Sequence, residues 1–161
     1  MKLWDKGFSV DKKIEDFTVG QDREMDLYLA PFDVLGTMAH ITMLEAVGLL
    51  DKAELPKLLT ALKEIYETAQ KGEFMIEETI EDVHSQVELM LTRKLGDMGK
   101  KVHSGRSRND QVLLDIKLFS RDRLEAVVKK MTLLFDALQR KSEAHKEVLI
   151  PGYTHLQVAM P

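Results

Sequence analysis

No cysteine occurs in the 161 residues. Its absence removes disulfides, thiol nucleophiles and thiolate metal sites together, and fits a reducing compartment. Proline is scarce at four residues and glycine at nine, so interruptions of helical patterning are few and easy to locate. No apolar run approaches the roughly 20 residues that span a bilayer, and Met1-Lys2-Leu3-Trp4-Asp5 lacks the apolar stretch of a secretory signal. The chain therefore reads as cytosolic, without a membrane partner. Positive charge is not in excess either: 23 Lys and Arg stand against 27 Asp and Glu, a formal charge of −4. That balance argues against a nucleic-acid partner and makes any anion site a local one.

What is present is an ordinary globular composition, 44% hydrophobic and 31% charged, at a length that suits one domain with a real core. Residues 1–21 show no clean period; Phe8, Ile14 and Phe17 are scattered among charges, as in an arm that packs on something larger. From Asp22 the pattern turns helical until Pro31, which is placed to start the next helix, roughly Phe32 to Val47. His40 inside it reads as a packing or surface residue. Asp51 and Glu54 form a capping box with Pro56 in the first turn, and Leu55, Leu58, Leu59, Leu62, Ile65, Tyr66 and Ala69 trace one apolar stripe to Gly72. A further helix is expected from Thr79 through Glu88, closed by Gly96. In it His84 and Glu88, four apart, share a face, as a proton-handling pair or an ordinary surface pair would. Gly96 to Lys101 reads as a loop.

The densest chemistry lies in His103-Ser104-Gly105-Arg106-Ser107-Arg108-Asn109-Asp110-Gln111. Gly105 allows a bend, Ser104 or Ser107 can accept from free amides of a first helical turn, and Arg106 and Arg108 add forked donors where the helix dipole is positive. Such a start can hold a carboxylate or phosphate; a plain capped helix with solvated arginines has the same pattern. From Arg106 to Ile150 there is neither Gly nor Pro, so a helix of up to about 65 Å is expected. Val112, Ile116, Phe119, Val127, Met131, Leu134 and Leu138, with Leu113, Leu124, Val128 and Phe135 beside them, give it a buried face wider than a two-stranded zipper needs. The other helices are too short to cover that face, which implies self-association or further sequence. Pro151-Gly152 then turns the chain, and Thr154-His155 fall just after it on a loop.

Three of these segments together resemble the argininosuccinate lyases of the fumarase and aspartase superfamily: Glu81-Asp82-Val83-His84, His103 to Val112, and Pro151-Gly152-Tyr153-Thr154-His155-Leu156-Gln157. Looser matches are Asp33-Val34-Leu35-Gly36-Thr37-Met38-Ala39-His40 and the opening Lys2-Leu3-Trp4. The resemblance spans essentially the whole chain, yet the family's polypeptides are far longer, so this looks like an N-terminal third and a little more. It implies reversible elimination of fumarate from argininosuccinate to leave arginine, without cofactor or metal. A proton leaves the carbon beside a carboxylate, and the resulting dianionic intermediate needs fixed donors and a positioned acid and base.

By that resemblance Arg108 and Asn109 contact substrate, Thr154 donates to it, and His155 is the acid/base histidine. Ser107 is an additional donor, Asp26 aligns best with the arm contact, and His84 lies in a segment at or near the site. The implied fold is all-α: residues 1–105 form an N-terminal helical domain, and residues 106–161 begin a central helical bundle whose first long helix runs from about Ser107 to Val148. The family assembles as homotetramers whose active sites draw on three subunits. Phe17-Thr18-Val19-Gly20 stands where the family has Phe-Asn-Ala-Ser, and Thr37 where it has serine. The loop with the family's catalytic serine lies beyond Pro161, so this stretch alone is expected to be inactive. A non-enzymatic helical scaffold on the same fold is the competing class; a sister lyase releasing fumarate is disfavoured by the Arg-Ser-Arg-Asn and Gly-Tyr-Thr-His wording.

Overall fold

The computed structural model describes residues 11–160. Phe8 and the opening Lys2-Leu3-Trp4 lie outside them. The stretch without a clear period holds a short helix, α1 (Lys12–Val19), with Ile14 and Phe17 exposed, and the helical pattern expected from Asp22 begins as α2 (Asp22–Asp26). Helix α3 (Ala30–Ala46) starts with Pro31 in its first turn, where a missing amide proton removes no helical bond. Helix α4 (Leu55–Gln70) follows with Pro56 in the equivalent place. Glu54 completes half of the expected capping box by accepting from the Asp51 amide at 3.3 Å, and Lys101 holds the same carboxylate at 2.7 Å.

Helix α5 (Val83–Leu95) begins four residues later than the sequence pattern suggested. Asp82 is the reason: in extended conformation, it accepts from the Ser85 amide at 2.7 Å and is a stronger N-cap than Thr79. Gly96 to Lys101, expected as a loop, holds a single helical turn, α6 (Asp97–Lys100), and then a 3₁₀ turn at Lys101–His103. Gly99 makes this possible by lying directly against α5: a β-carbon there would stand 2.5 Å from the Leu91 carbonyl carbon and the Thr92 nitrogen. Gly99→Ala is thus expected to lower the free energy of unfolding by about 2 kcal/mol or more, the effect of an overpacked contact with backbone, as read from urea denaturation. An unchanged midpoint would show that α6 moves freely.

Helices α3, α4 and α5 enclose the core. Val34, Ile41 and Leu44 meet Leu58, Leu62 and Ile65, and Val83, Val87 and Leu91 close the third side. Each such buried side chain contributes about 1.5–3 kcal/mol.

The long segment forms α7 (Arg108–His145), 38 residues or about 57 Å at the helical rise. The chain divides into two compact units, one ending at Ser120 and one starting at Arg121. In the first, Phe32 of α3 meets Phe119 of α7 edge-on with ring centroids 5.9 Å apart. In the second, Leu124, Val127, Val128, Met131, Leu134, Phe135 and Leu138 are all more than half exposed. This unit ends in a hairpin of β1 (Gly152–Thr154) and β2 (Gln157–Met160), paired antiparallel with Thr154 opposite Gln157. Among the described residues no helix is long and apolar enough to cross a membrane. The helices make the architecture all-α, with the hairpin its sole sheet among the described residues.

Candidate active site

The loop before α7 is pinned from several sides. Gly105 takes φ +75°, a left-handed turn that a side chain resists. His40 Nε2 bonds the Ser104 carbonyl at 2.8 Å, tying the loop to α3. Burial, opposed by that bond, leaves His40 below its ordinary value, so the neutral ring donates. Ser107 and Asp110 build a reciprocal cap: the Ser107 amide donates to Asp110 Oδ2 at 2.8 Å, and the Asp110 amide reaches Ser107 Oγ at 3.3 Å. The Ser107 hydroxyl also donates to Asp110 at 3.0 Å. Its proton is therefore engaged, while Asn109 beside it is exposed.

The two arginines of the loop separate. Arg106 turns inward and donates to Thr37 Oγ1 at 2.8 Å; burial draws its guanidinium below the usual value against the pull of Asp33 and Asp115. Arg108 turns to the start of α5, donating from Nη2 to Ser85 Oγ at 2.6 Å with Nε 3.5 Å from Asp82 Oδ2. Its Nη1 has no protein partner. His103 lies nearby and is held below its ordinary value by burial and by the Arg108 charge. Asp26 accepts from the Val83 amide at 3.1 Å, and burial still raises its carboxyl. Asp26, Asp82, Ser85 and Arg108 thus converge on one helical turn.

Behind that turn lies a buried group the sequence reading did not assemble. His84 is 3% exposed and bonds Asp33 Oδ1 through Nδ1 at 2.8 Å, with Asp115 Oδ2 3.7 Å away. Gln111 donates to the same Asp33 oxygen at 3.3 Å. Glu88, the neighbour at helical spacing, is not the partner. Burial pulls the His84 ring down, but the bond and charge of Asp33, supported by Asp82 and Asp115, prevail and raise it. Burial and the Asp33 charge push the Asp115 carboxyl up to about 7. Among the described residues Asp33, His84 and Asp115 bring three ligand-type atoms within 4.8 Å. With His84 Nδ1 against Asp33 and Arg106 adjoining, the group is an internal cluster of ionisable side chains.

One signal could have found it. Asp33, Thr37 and His40 recur at four and three on a largely apolar helix, the spacing of a single polar face. Each serves the site region, through His84, Arg106 and Ser104 respectively. Gly36 sits in the same face, where a β-carbon would come 2.9 Å from Leu114 of α7.

In the second unit Thr154 ends β1 and His155 starts the hairpin turn. His155 at φ 50° and Leu156 at φ 62° are both left-handed, the geometry of a type I′ turn usually built from Asn and Gly. A non-glycine residue there costs on the order of 1 kcal/mol and is a feature of residues presented for a task. His155 is exposed. Chemically, the first unit offers fixed cationic and amide donors at a helix start, and the second an exposed imidazole and hydroxyl.

Comparison with known proteins gives these features a context. A family model described as Lyase matches residues 6–161. An argininosuccinate lyase of Bacteroides fragilis is 68% identical over 160 residues, covering 99% of this chain and 36% of the relative. One from Parabacteroides distasonis is 67% identical over the same share. One from Geobacter sulfurreducens is 41% identical over 162 residues, again 99% of this chain and 35% of the relative. The chain thus spans about a third of the length of the curated relatives it matches.

Proposed function

The chain belongs to the Lyase family, whose model its residues 6–161 match, and from that premise we propose that it carries the first portion of a carbon–nitrogen lyase active site acting on argininosuccinate. The reaction would be the reversible elimination of fumarate to leave arginine. In this reading Arg108 and Asn109 bind the succinyl carboxylates, Thr154 donates to substrate, and His155 moves a proton. Ser107 contributes as an acceptor at the same helix start, its proton being engaged by Asp110. Asp26 and His84 act from beside the start of α7, Asp26 through the Val83 amide and His84 through the buried cluster. The observation that carries the reading is the start of α7. There an oriented guanidinium, an exposed amide side chain and a capped helix N-terminus stand together, the donor array that a developing dianion needs.

The assembly proposed is a homotetramer in which residues 1–105 form a peripheral helical domain and residues 106–161 open a central bundle. The exposed apolar side chains from Leu124 to Leu138 supply the contact surface for such a bundle. A cytoplasmic location follows from the biosynthetic reaction. The small molecules concerned are argininosuccinate, fumarate and arginine, with no metal or cofactor required by the chemistry.

The test is absorbance of fumarate on adding argininosuccinate to a polypeptide of the relatives' length that carries this chain. A linear rise, reversed by excess arginine and fumarate, is expected. A protein that is folded and tetrameric but releases none would be a scaffold, and the proposal would be wrong.

A further inference from the structure

Arg108, Gln111 and Asp115 stand three and four residues apart on α7, hence on one face of the helix. All three engage the first turn of α5 or the residue that anchors it. Arg108 bonds Ser85, Gln111 bonds Asp33, and Asp115 faces His84. Because His84 and Ser85 are consecutive, the buried contact to Asp115 and the outer contact to Arg108 bear on the same turn. The inner carboxylates are 1% exposed, and Asp33 Oδ2 and Asp115 Oδ2 have no hydrogen-bond partner. Such a group responds strongly to gain or loss of a proton, since both carboxylates are out of water and His84 and Arg106 are the cations that face them.

We propose that Asp33, His84 and Asp115 are positioning residues: the proton they hold sets the first turn of α5 against α7, and Ser85 and Asp82 transmit that setting to the guanidinium of Arg108. The proposal rests on Arg108 being a substrate contact, as argued above. The charged groups facing the cluster are Asp26 from α2, Asp33 itself from α3, Asp82 and His84 from α5, Arg106 from the loop and Asp115 from α7. When Asp115 gives up its proton, a second negative charge appears beside Asp33. The His84 ring is then drawn toward the pair of carboxylates, and Ser85 moves with it. When Asp115 is protonated, His84 answers to Asp33 alone.

Nuclear magnetic resonance of the 161-residue chain tests this without any enzyme assay. The His84 ring nitrogens and the Arg108 Nε–H are followed from pH 5 to pH 9. The Arg108 signal is expected to shift with an inflection near pH 7, following the Asp115 carboxyl. Asp115→Asn, which keeps the shape and removes the charge, is expected to abolish that inflection and to lower the His84 midpoint by about one pH unit. Asp33→Asn is expected to lower the His84 midpoint further, because it removes the directly bonded charge. An Arg108 signal indifferent to pH, or an inflection that survives Asp115→Asn, overturns the proposal.

A kinetic arm, in a polypeptide of the relatives' length, reads the consequence for substrate. The KM for argininosuccinate is expected to change about tenfold between pH 6 and pH 8 and less than about twofold in Asp115→Asn. If no fumarate forms at any pH the lyase reading fails, while the resonance result still decides this one.

Discussion

Asn109→Ala is expected to cut fumarate release by about a hundredfold or more while leaving the melting temperature within about a degree of the parent. The asymmetry comes from where the residue stands. Asn109 is exposed in the first turn of α7, where alanine is an equally good or better helix former. No packed side chain or cap depends on it, since the cap is made by Ser107 and Asp110 on either side. A donor aimed at charge that develops only in the transition state, by contrast, contributes about a hundred- to a thousandfold in rate. The measurement is kcat and KM of the variant beside its thermal denaturation, in a polypeptide of the relatives' length. Near-normal turnover would remove Asn109 from the site; a collapse of stability would show that its role is structural.

Asp115→Asn is expected to make the protein less sensitive to alkaline conditions. The carboxyl is raised from its ordinary value of 3.8 to about 7, so between those limits the folded chain keeps a proton that the unfolded chain has lost. Stability from this group is complete below about pH 4 and disappears as pH rises through about 7. The full span corresponds to at most roughly 4 kcal/mol. Urea denaturation at pH 5 and pH 8 should therefore show the variant gaining on the parent as pH rises. The raised His84 ring acts in the same sense, its contribution being present below 6.5 and lost above. The lowered His40 and His103 act in the opposite sense, but they are common to both proteins and cancel in the difference. A parent that instead gains on the variant as pH rises would mean that Asp115 is ionised and well paired in the native state.

Breaks and stripes carried most of the fold. Pro31, Pro56, Gly72 and Gly96 fall at or beside helix ends, and the stripe from Leu58 to Ile65 buries as its spacing requires. The start of α5 was misplaced because Thr79 and Asp82 both have cap chemistry, and the Ser85 amide selects the carboxylate. The turn at α6 is not legible because Gly99 reads as a flexible residue, whereas it is needed for contact with α5. Local motifs made the Arg108 loop legible. The buried cluster was not, because His84 finds its acceptor 51 residues away on α3, and a search among neighbours at helical spacing leads to Glu88 instead. The polar face of α3 is the clue that a search of that kind overlooks.

The left-handed backbone at His155 dictates how its chemistry should be probed. A branched or alanine replacement would disturb the turn as well as delete the imidazole, and a dead variant would then carry two explanations. Asparagine and glycine tolerate that φ, so they remove the ring alone. The shape of a two-residue bend thus decides which substitutions speak about proton transfer and which speak only about hairpin closure.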